Sequence, residues 1–337
     1  MKNKIYILSA AHISAQTPLR EDWMKNPILY NEEYVRAIEP NYKEHFSALE
    51  ARRYGQLLKR ALLVSRKAME TSGITNLDAI ITGTGLGCIE NTEFFLKDLT
   101  FNGEELLKPT HFINSTHNTI SSLVAIDTKC NGYNSTYTHK GISFECALQD
   151  AFMQLNNRKI NTALISGHDE MTPDYFAILK KTGYLDFSEQ GFAGETAVAM
   201  ILGTEKTANT LCKIEKVETL YTIDFEYINS VTEKFAKPDY IFTGINGQSE
   251  NDNRYFDVCE KIFPKVPLLQ YKNLFGESYT APALGIYAAA NCLQKGNIPV
   301  HFLIQGKSAN CKSEPTKILF YNNFEGKNHS LILLSIC

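Results

Sequence analysis

The chain opens with Lys4-Ile5-Tyr6-Ile7-Leu8-Ser9-Ala10-Ala11, an apolar run of strand length that reads as a buried β-strand. The mostly polar stretch from Gln16 to Glu50 reads as a long surface excursion. From Arg52 the pattern changes. Leu57, Leu58, Ala61, Leu62, Val64, Ser65, Ala68 and Met69 recur at helical spacing, and Ser72-Gly73 supplies a stop before the short apolar run from Asp78 to Thr82. Phe144 to Leu155 is a helix with Phe144, Ala147, Leu148, Ala151, Phe152 and Leu155 on one face; Thr162–Gly167 and Thr196–Leu202 are buried strands. Beyond Lys213 the same grammar returns, in Asp239 to Gly244, Arg254 to Phe263, Ala283 to Leu293, Lys317 to Tyr321 and Ser330 to Ser335. Helices alternating with apolar strands predict a layered α/β architecture. The shared grammar suggests a duplication with halves 1–210 and 211–337, although no sequence repeat is readable.

Composition narrows the function classes. With 44% hydrophobic and 21% charged residues, the 337-residue chain has ordinary globular usage. A net charge of −3 without a dense run of Lys or Arg argues against an electrostatic grip on nucleic acid or anionic lipid. Met1 to Ile7 is too short and polar for a signal peptide, and no apolar run approaches the roughly 20 residues that span a bilayer, so a cytoplasmic location and no membrane insertion are expected. The cysteines at 88, 130, 146, 212, 259, 292, 311 and 337 show no CxxC pairing and sit mostly in apolar stretches. Buried thiols are expected there, rather than disulfides or metal ligands. The His residues lack HExxH-like spacing; neither a metal nor another cofactor is expected. Gly83-Thr84-Gly85-Leu86-Gly87 has the glycine density of a phosphate cradle but neither the P-loop Lys nor full GxGxxG spacing, so a tight strand-to-helix turn is expected.

Several segments in order resemble the β-ketoacyl synthase branch of the thiolase-like superfamily. They are the helix from Arg52 to Gly73, Pro109-Thr110-His111-Phe112-Ile113-Asn114-Ser115-Thr116-His117-Asn118, and the stretch from Thr136 to Glu170 that corresponds to the nucleophile region. Gly191-Phe192-Ala193-Gly194-Glu195-Thr196-Ala197 is similar to the family's GFxxGEGA turn. Gly244-Ile245-Asn246-Gly247-Gln248-Ser249 is placed like its HGT motif, Lys272-Asn273-Leu274-Phe275-Gly276-Glu277 like KxxxGH, and Asn322-Asn323-Phe324-Glu325-Gly326 resembles NSFGFGG. The resemblance implies a thiolase-like layered αβαβα fold with two pseudo-repeated halves.

Condensation in that family needs a thiolate that takes the acyl chain and two imidazoles that assist decarboxylation and hold the enolate oxygen. Aligned on the motifs, the nucleophile position carries Gly141, the first His position Asn246 and the second Glu277. Glycine has no side chain to acylate. Asn246 donates a hydrogen bond but relays no proton near neutral pH, and a carboxylate at 277 repels a developing oxyanion. Lys272 is retained; an ion pair with Glu277 filling a vacated pocket is the expectation, with a catalytic lysine the alternative. Asp127-Thr128-Lys129-Cys130 resembles the DTAC string of related synthases, yet Cys130 lies eleven residues before Gly141, ahead of a strand rather than at a helix start. Ser143 and Cys146 fall past the helix N-terminus, and His139 and His168 lack a nucleophile beside them.

The PTxFxNSxHN segment with a Cys-less nucleophile helix is similar to the chain-length factors of aryl polyene and flexirubin-type ketosynthase heterodimers. What the resemblance implies is a non-catalytic subunit paired with a catalytic β-ketoacyl synthase, acting on an acyl carrier protein in polyketide or fatty-acid-like elongation. Phe112, Thr116 and His117 are the implied tunnel residues, for Phe112 with core packing as the alternative; Phe324 is either a gate at the pocket floor or a core aromatic. Two other readings remain open here: an acyltransferase or malonyl decarboxylase of the same fold using Cys130 or the Asn246, Lys272 and Glu277 cluster, and a stand-alone protein that holds an acyl chain.

Overall fold

The computed structural model describes residues 3–20, 22–104, 107–187, 191–304 and 314–337. Its first half runs β1 (Ile5–Ile13), α1 (Ala48–Arg53), α2 (Gln56–Ser72), β2 (Ala79–Gly83), α3 (Ile89–Asn102), α4 (Pro109–Ser115), α5 (Thr119–Thr128), β3 (Tyr133–Tyr137), α6 (Ser143–Asn156), β4 (Thr162–Asp169), α7 (Pro173–Lys181) and β5 (Thr196–Gly203). Its second half runs β6 (Cys212–Tyr221), α8 (Phe225–Thr232), β7 (Tyr240–Thr243), α9 (Ser249–Ile262), β8 (Leu268–Gln270), α10 (Lys272–Phe275), α11 (Ala281–Lys295), β9 (Lys317–Phe324) and β10 (Asn328–Ser335).

The strands join in the order β3-β2-β4-β5-β1-β6-β10-β9-β7-β8. Counted outward from the β1–β6 junction, each half places its first, fifth, fourth, second and third strands in that sequence. Orientation repeats as well: β2 is parallel to β3 and β4, as β7 is to β8 and β9, and the remaining neighbours within each half are antiparallel. The halves meet in a short antiparallel ladder that pairs Ile5 with Ile214, Tyr6 with Lys213 and Ile7 with Cys212.

Layering follows from strands that are apolar on both faces. In β4, Ala163 and Ile165 face one core and Leu164 the other; in β9, Ile318 and Phe320 face that same inner core while Leu319 and Tyr321 face outward. The inner core holds α6 and α11, each between its half's third and fourth strands in the chain. Helix α11, APALGIYAAANCLQK, is small enough along its length to be buried from Ala281 to Leu293. Helices α2 and α5 cover the first half's outer face, and α8 and α9 the second's. The result is the thiolase-like αβαβα fold. Helix α2 ends where expected, with Gly73 left-handed at φ 74.

One expectation needs correction. The stretch from Gln16 to Glu50 is not a surface excursion throughout. Trp23 is fully buried against His12, Phe275 and Phe302. Val35 N–H donates to Ala193, and Ala37 N–H to the buried Glu195 carboxylate. The segment is a strap whose few apolar residues, too widely spaced to show a period, pin it across both halves. Six of the cysteines, at 88, 130, 146, 212, 259 and 292, are buried or half-buried free thiols, Cys337 is exposed, and Cys311 lies outside the described residues. Among the described residues, no helix is long and apolar enough to cross a membrane.

Candidate functional site

At the start of α6, near the ends of β7 and β9, lies a cavity of about 450 Å³ lined by Gly141, Asn246, Lys272, Glu277, Tyr279 and Phe324 among others. The structure therefore gathers Gly141, Asn246, Lys272 and Glu277, and Phe324 with them, at one place. No cysteine or histidine is among the described residues that line it.

Gly141 is buried in the turn that leads into α6. A Cβ built on it lies 2.3 Å from Cδ2 of Phe324, far inside contact distance. The phenyl ring occupies the volume that a side chain at 141 would enter, so with the ring in place only hydrogen fits beneath it. Phe324 stands at the end of β9, before a turn made by Glu325 and Gly326 at φ 57 and 71, and its ring edge meets Tyr279 at 6.2 Å.

Asn246 follows β7 and is fixed by the first turn of α9, where Asp252 accepts from the N–H groups of Asn246 (3.0 Å) and Gly247 (3.1 Å). The Asn246 side chain donates to Glu277 and to Gln248. From the opposite side Lys272 Nζ donates to both Glu277 oxygens, at 3.0 and 2.7 Å. Lys272 and Glu277 are only 7% and 17% exposed, so this pair is better shielded than a surface ion pair. It is the ion pair expected from sequence, and Asn246 closes it further. The backbone binds the motifs together: Glu277 N–H donates to Phe192 at 2.7 Å, and Gly194 N–H to Glu277 at 2.9 Å. Glu195, in the same turn, takes the Arg60 guanidinium at 3.0 Å and the amides of Ala37 and Met171. That motif's work here is structural.

Behind Gly141 sits a group the sequence reading missed. Glu145, one turn into α6 and fully buried, accepts from Asn322 Nδ2 at 2.7 Å and from Ser330 Oγ at 3.0 Å; Asn322 also donates to the Gly141 carbonyl. Burial pushes the Glu145 carboxyl up to about 7. The available signal was an acid beside Phe144 on the apolar side of a helix.

The remaining candidates lie elsewhere. Cys130, past the end of α5, packs half-buried on the outer core and donates to the Leu77 carbonyl. Ser143 Oγ donates to the Lys140 carbonyl. The half-buried Cys146 thiol is pushed up to about 11 by desolvation. His139 stands beside the Tyr137 ring. His168 is buried within β4, pushed down to about 3 by desolvation, and neither ring nitrogen has a hydrogen-bond partner among the described residues. Phe112 is 56% exposed on α4 and leans on Phe95, so core packing is overturned; Thr116 and His117 are exposed after the same helix. None of these three reaches the cavity. The Gly83–Gly87 turn cradles no external anion: the Asp169 carboxylate fills it, accepting from Gly85 and Leu86 N–H.

Comparison with known proteins follows the same lines. Residues 21–226 match the family described as "Beta-ketoacyl synthase, N-terminal domain". No curated protein matches the chain. Among solved structures, the ishigamide ketosynthase/chain length factor superposes with a TM-score of 0.83 at 15% identity, over 100% of both chains. A ketosynthase in complex with its chain length factor from Xenorhabdus doucetiae gives 0.78 at 14%, over 99% of this chain and 98% of that one. A type II polyketide synthase acyl-carrier protein in complex with its ketosynthase bound to the hexaketide gives 0.76 at 12%, over 100% of both. Identities this low speak for the fold alone, but the family match spans more than half of the sequence: the chain belongs to the β-ketoacyl synthase family.

Proposed function

We propose that this chain is a non-catalytic chain-length factor: it pairs with an active β-ketoacyl synthase and shapes that partner's acyl tunnel during carrier-protein-dependent polyketide or polyene elongation. The observation that carries the reading is Phe324 seated over Gly141. With the ring there, position 141 has no side chain to take an acyl group, and Glu277, held by Lys272 and Asn246, places negative charge where an oxyanion would need donors.

The surface supports a partner. β3 is an edge strand, paired on one side only among the described residues. Around it the chain exposes Ile126 on α5, Tyr133 on β3 and Met153 on α6, with Phe112 and Ile113 on α4. An unpaired edge flanked by exposed apolar side chains favours pairing with another sheet of the same kind. The other edge, β8, is covered by a bridge from Leu303 to Leu269. Residues 1–210 and 211–337 are then the two halves of a duplicated unit, with the α4–α5 face supplying Phe112, Thr116 and His117 to the shared tunnel. The same reading takes the pair to be a cytoplasmic assembly.

The test is reconstitution. The tagged chain is expressed in its native host, and the copurifying protein is identified by mass spectrometry and assayed for malonyl condensation on a carrier protein. The proposal expects a synthase with an intact Cys and two His, which elongates only in the presence of this chain. A chain that condenses malonyl units alone would refute it.

A further inference from the structure

A ladder of polar contacts joins the end of β4 and the residues after it to the turn that follows β2 and then to helix α3. Asp169 accepts from Thr84 Oγ1 at 3.1 Å, Gly85 N–H at 2.9 Å and Leu86 N–H at 2.8 Å. Glu170 Oε1 accepts from Glu90 N–H at 3.0 Å. Thr172 Oγ1 donates to the Glu93 carboxylate, and Lys97 Nζ donates to Asp174 at 2.6 Å. Positions 90, 93 and 97 fall on one face of a helix. Asp169, Glu170 and Thr172 are buried, whereas Lys97 and Asp174 are 52% and 62% exposed, so the inner rungs carry the hold and the outer one adds little. Between the rungs, Met171 N–H donates to buried Glu195, which ties the ladder itself to the core.

The neighbouring positions on α3 carry α4: the Phe95 ring meets Phe112 at 5.4 Å and Phe94 meets His111 at 5.5 Å, both pairs tilted. We propose that Asp169, Glu170 and Thr172 are positioning residues that set the placement of the α3–α4 arm, and through it the depth at which Phe112 meets the partner. The inference rests on the partner reading for its effect on product length, but not for its effect on the arm. Its chemistry is suited to a fixed setting. Buried rungs on amide hydrogens are geometrically strict, and leaving such an amide unpaired is costly. Burial also pushes Glu170 up to about 8, so a neutral amide at that position reproduces the acceptor.

Two variants break different rungs, Glu170→Leu and Glu93→Leu; Glu170→Gln keeps an oxygen facing the Glu90 amide. Hydrogen exchange of the purified chain is expected to quicken about tenfold over residues 89–104 and 107–115 in both Leu variants, the loss of one such hydrogen bond. Exchange in β4 and α6 should be unchanged, and Glu170→Gln should match the parent. Uniform exchange across the arm in all variants would overturn the proposal, as would quickening spread over the whole chain. With the recovered synthase, the Leu variants should shift the product-length distribution in the same direction as Phe112→Ala, and Glu170→Gln should restore it. A shift with Phe112→Ala but none with the ladder variants would sink the ladder and leave the partner reading standing. If no synthase is recovered, the partner reading falls, and exchange alone decides whether the ladder holds the arm.

Discussion

A single phenyl ring fills the space beside residue 141. Because the nearest Phe324 carbon lies 2.3 Å from any Cβ placed there, Gly141→Ala should destabilise the chain by about 1–3 kcal/mol, the range of core overpacking. Phe324→Ala should rescue much of that loss, since the two residues share one volume. Denaturant unfolding of the two single variants and the double variant reads the coupling directly. The Lys272–Glu277 pair makes a second case. Lys272→Met leaves the Glu277 carboxylate with Asn246 alone among the described residues and should cost on the order of 3 kcal/mol, whereas Lys272→Met with Glu277→Leu should cost clearly less.

Glu145 supplies a pH test. Its folded-state value, about 7, is above its ordinary 4.5, so between those values the folded chain binds more protons than the unfolded one. Its contribution is full below about 4.5 and is lost as the pH rises towards 7. His168, pushed down to about 3, acts in the opposite sense: its contribution is present above 6.5 and is lost as the pH falls. Unfolding midpoints of the parent and Glu145→Gln, compared across this window, isolate the carboxyl; the parent should lose stability relative to the variant as the pH rises. At this scale the sequence was informative where a residue type was missing. The motif comparison singles out Gly141, Asn246, Lys272 and Glu277, and the structure brings these four residues to one cavity. Glu145 could not be read so, because a buried acid is recognised only by what encloses it, here Asn322 and Ser330 from the far half of the chain.

Among the elements, the strands buried on both faces announced themselves as apolar runs, and α2, α6 and α11 as periodic or small-residue helices. β6 did not, since its exposed and half-buried positions interrupt the run. The strap from Gln16 to Glu50 was misread because its burial depends on isolated residues such as Trp23 and Val35 meeting Phe275 and Ala193, contacts without a local period. Helix α5 was equally opaque, and α3 was legible only as the helix after the Gly83–Gly87 turn. Along α3 to α5, Phe101, Phe112 and Ile126 face outward, while Ile120 and Val124 of α5 are buried in the outer core, so the apolar positions are split between two faces and show no single period. That outward face gives a prediction for the element scale. Ile126→Glu with Met153→Glu alters exposed positions on both sides of β3 and should leave the unfolding midpoint nearly unchanged while abolishing copurification with the synthase. Retained copurification would place the interface elsewhere.

For the whole molecule, the repeated order of strands and the paired central helices put α6 and α11 back to back, and the cavity opens where α6 begins. The fold is shared with solved ketosynthases; on the proposed reading, the groups that would act on an acyl thioester give way to the Phe324 ring and the Lys272–Glu277 ion pair. Such a subunit retains its shape and its outward face for a partner. The most direct measurement is intact-protein mass spectrometry of the copurified pair after exposure to an isotopically labelled acyl thioester on the carrier protein. The label should appear on the synthase and on no residue of this chain, and Phe324→Ala should not change that. A stoichiometric acyl adduct on this chain, at Cys130, Ser143 or any other nucleophile, would contradict the account.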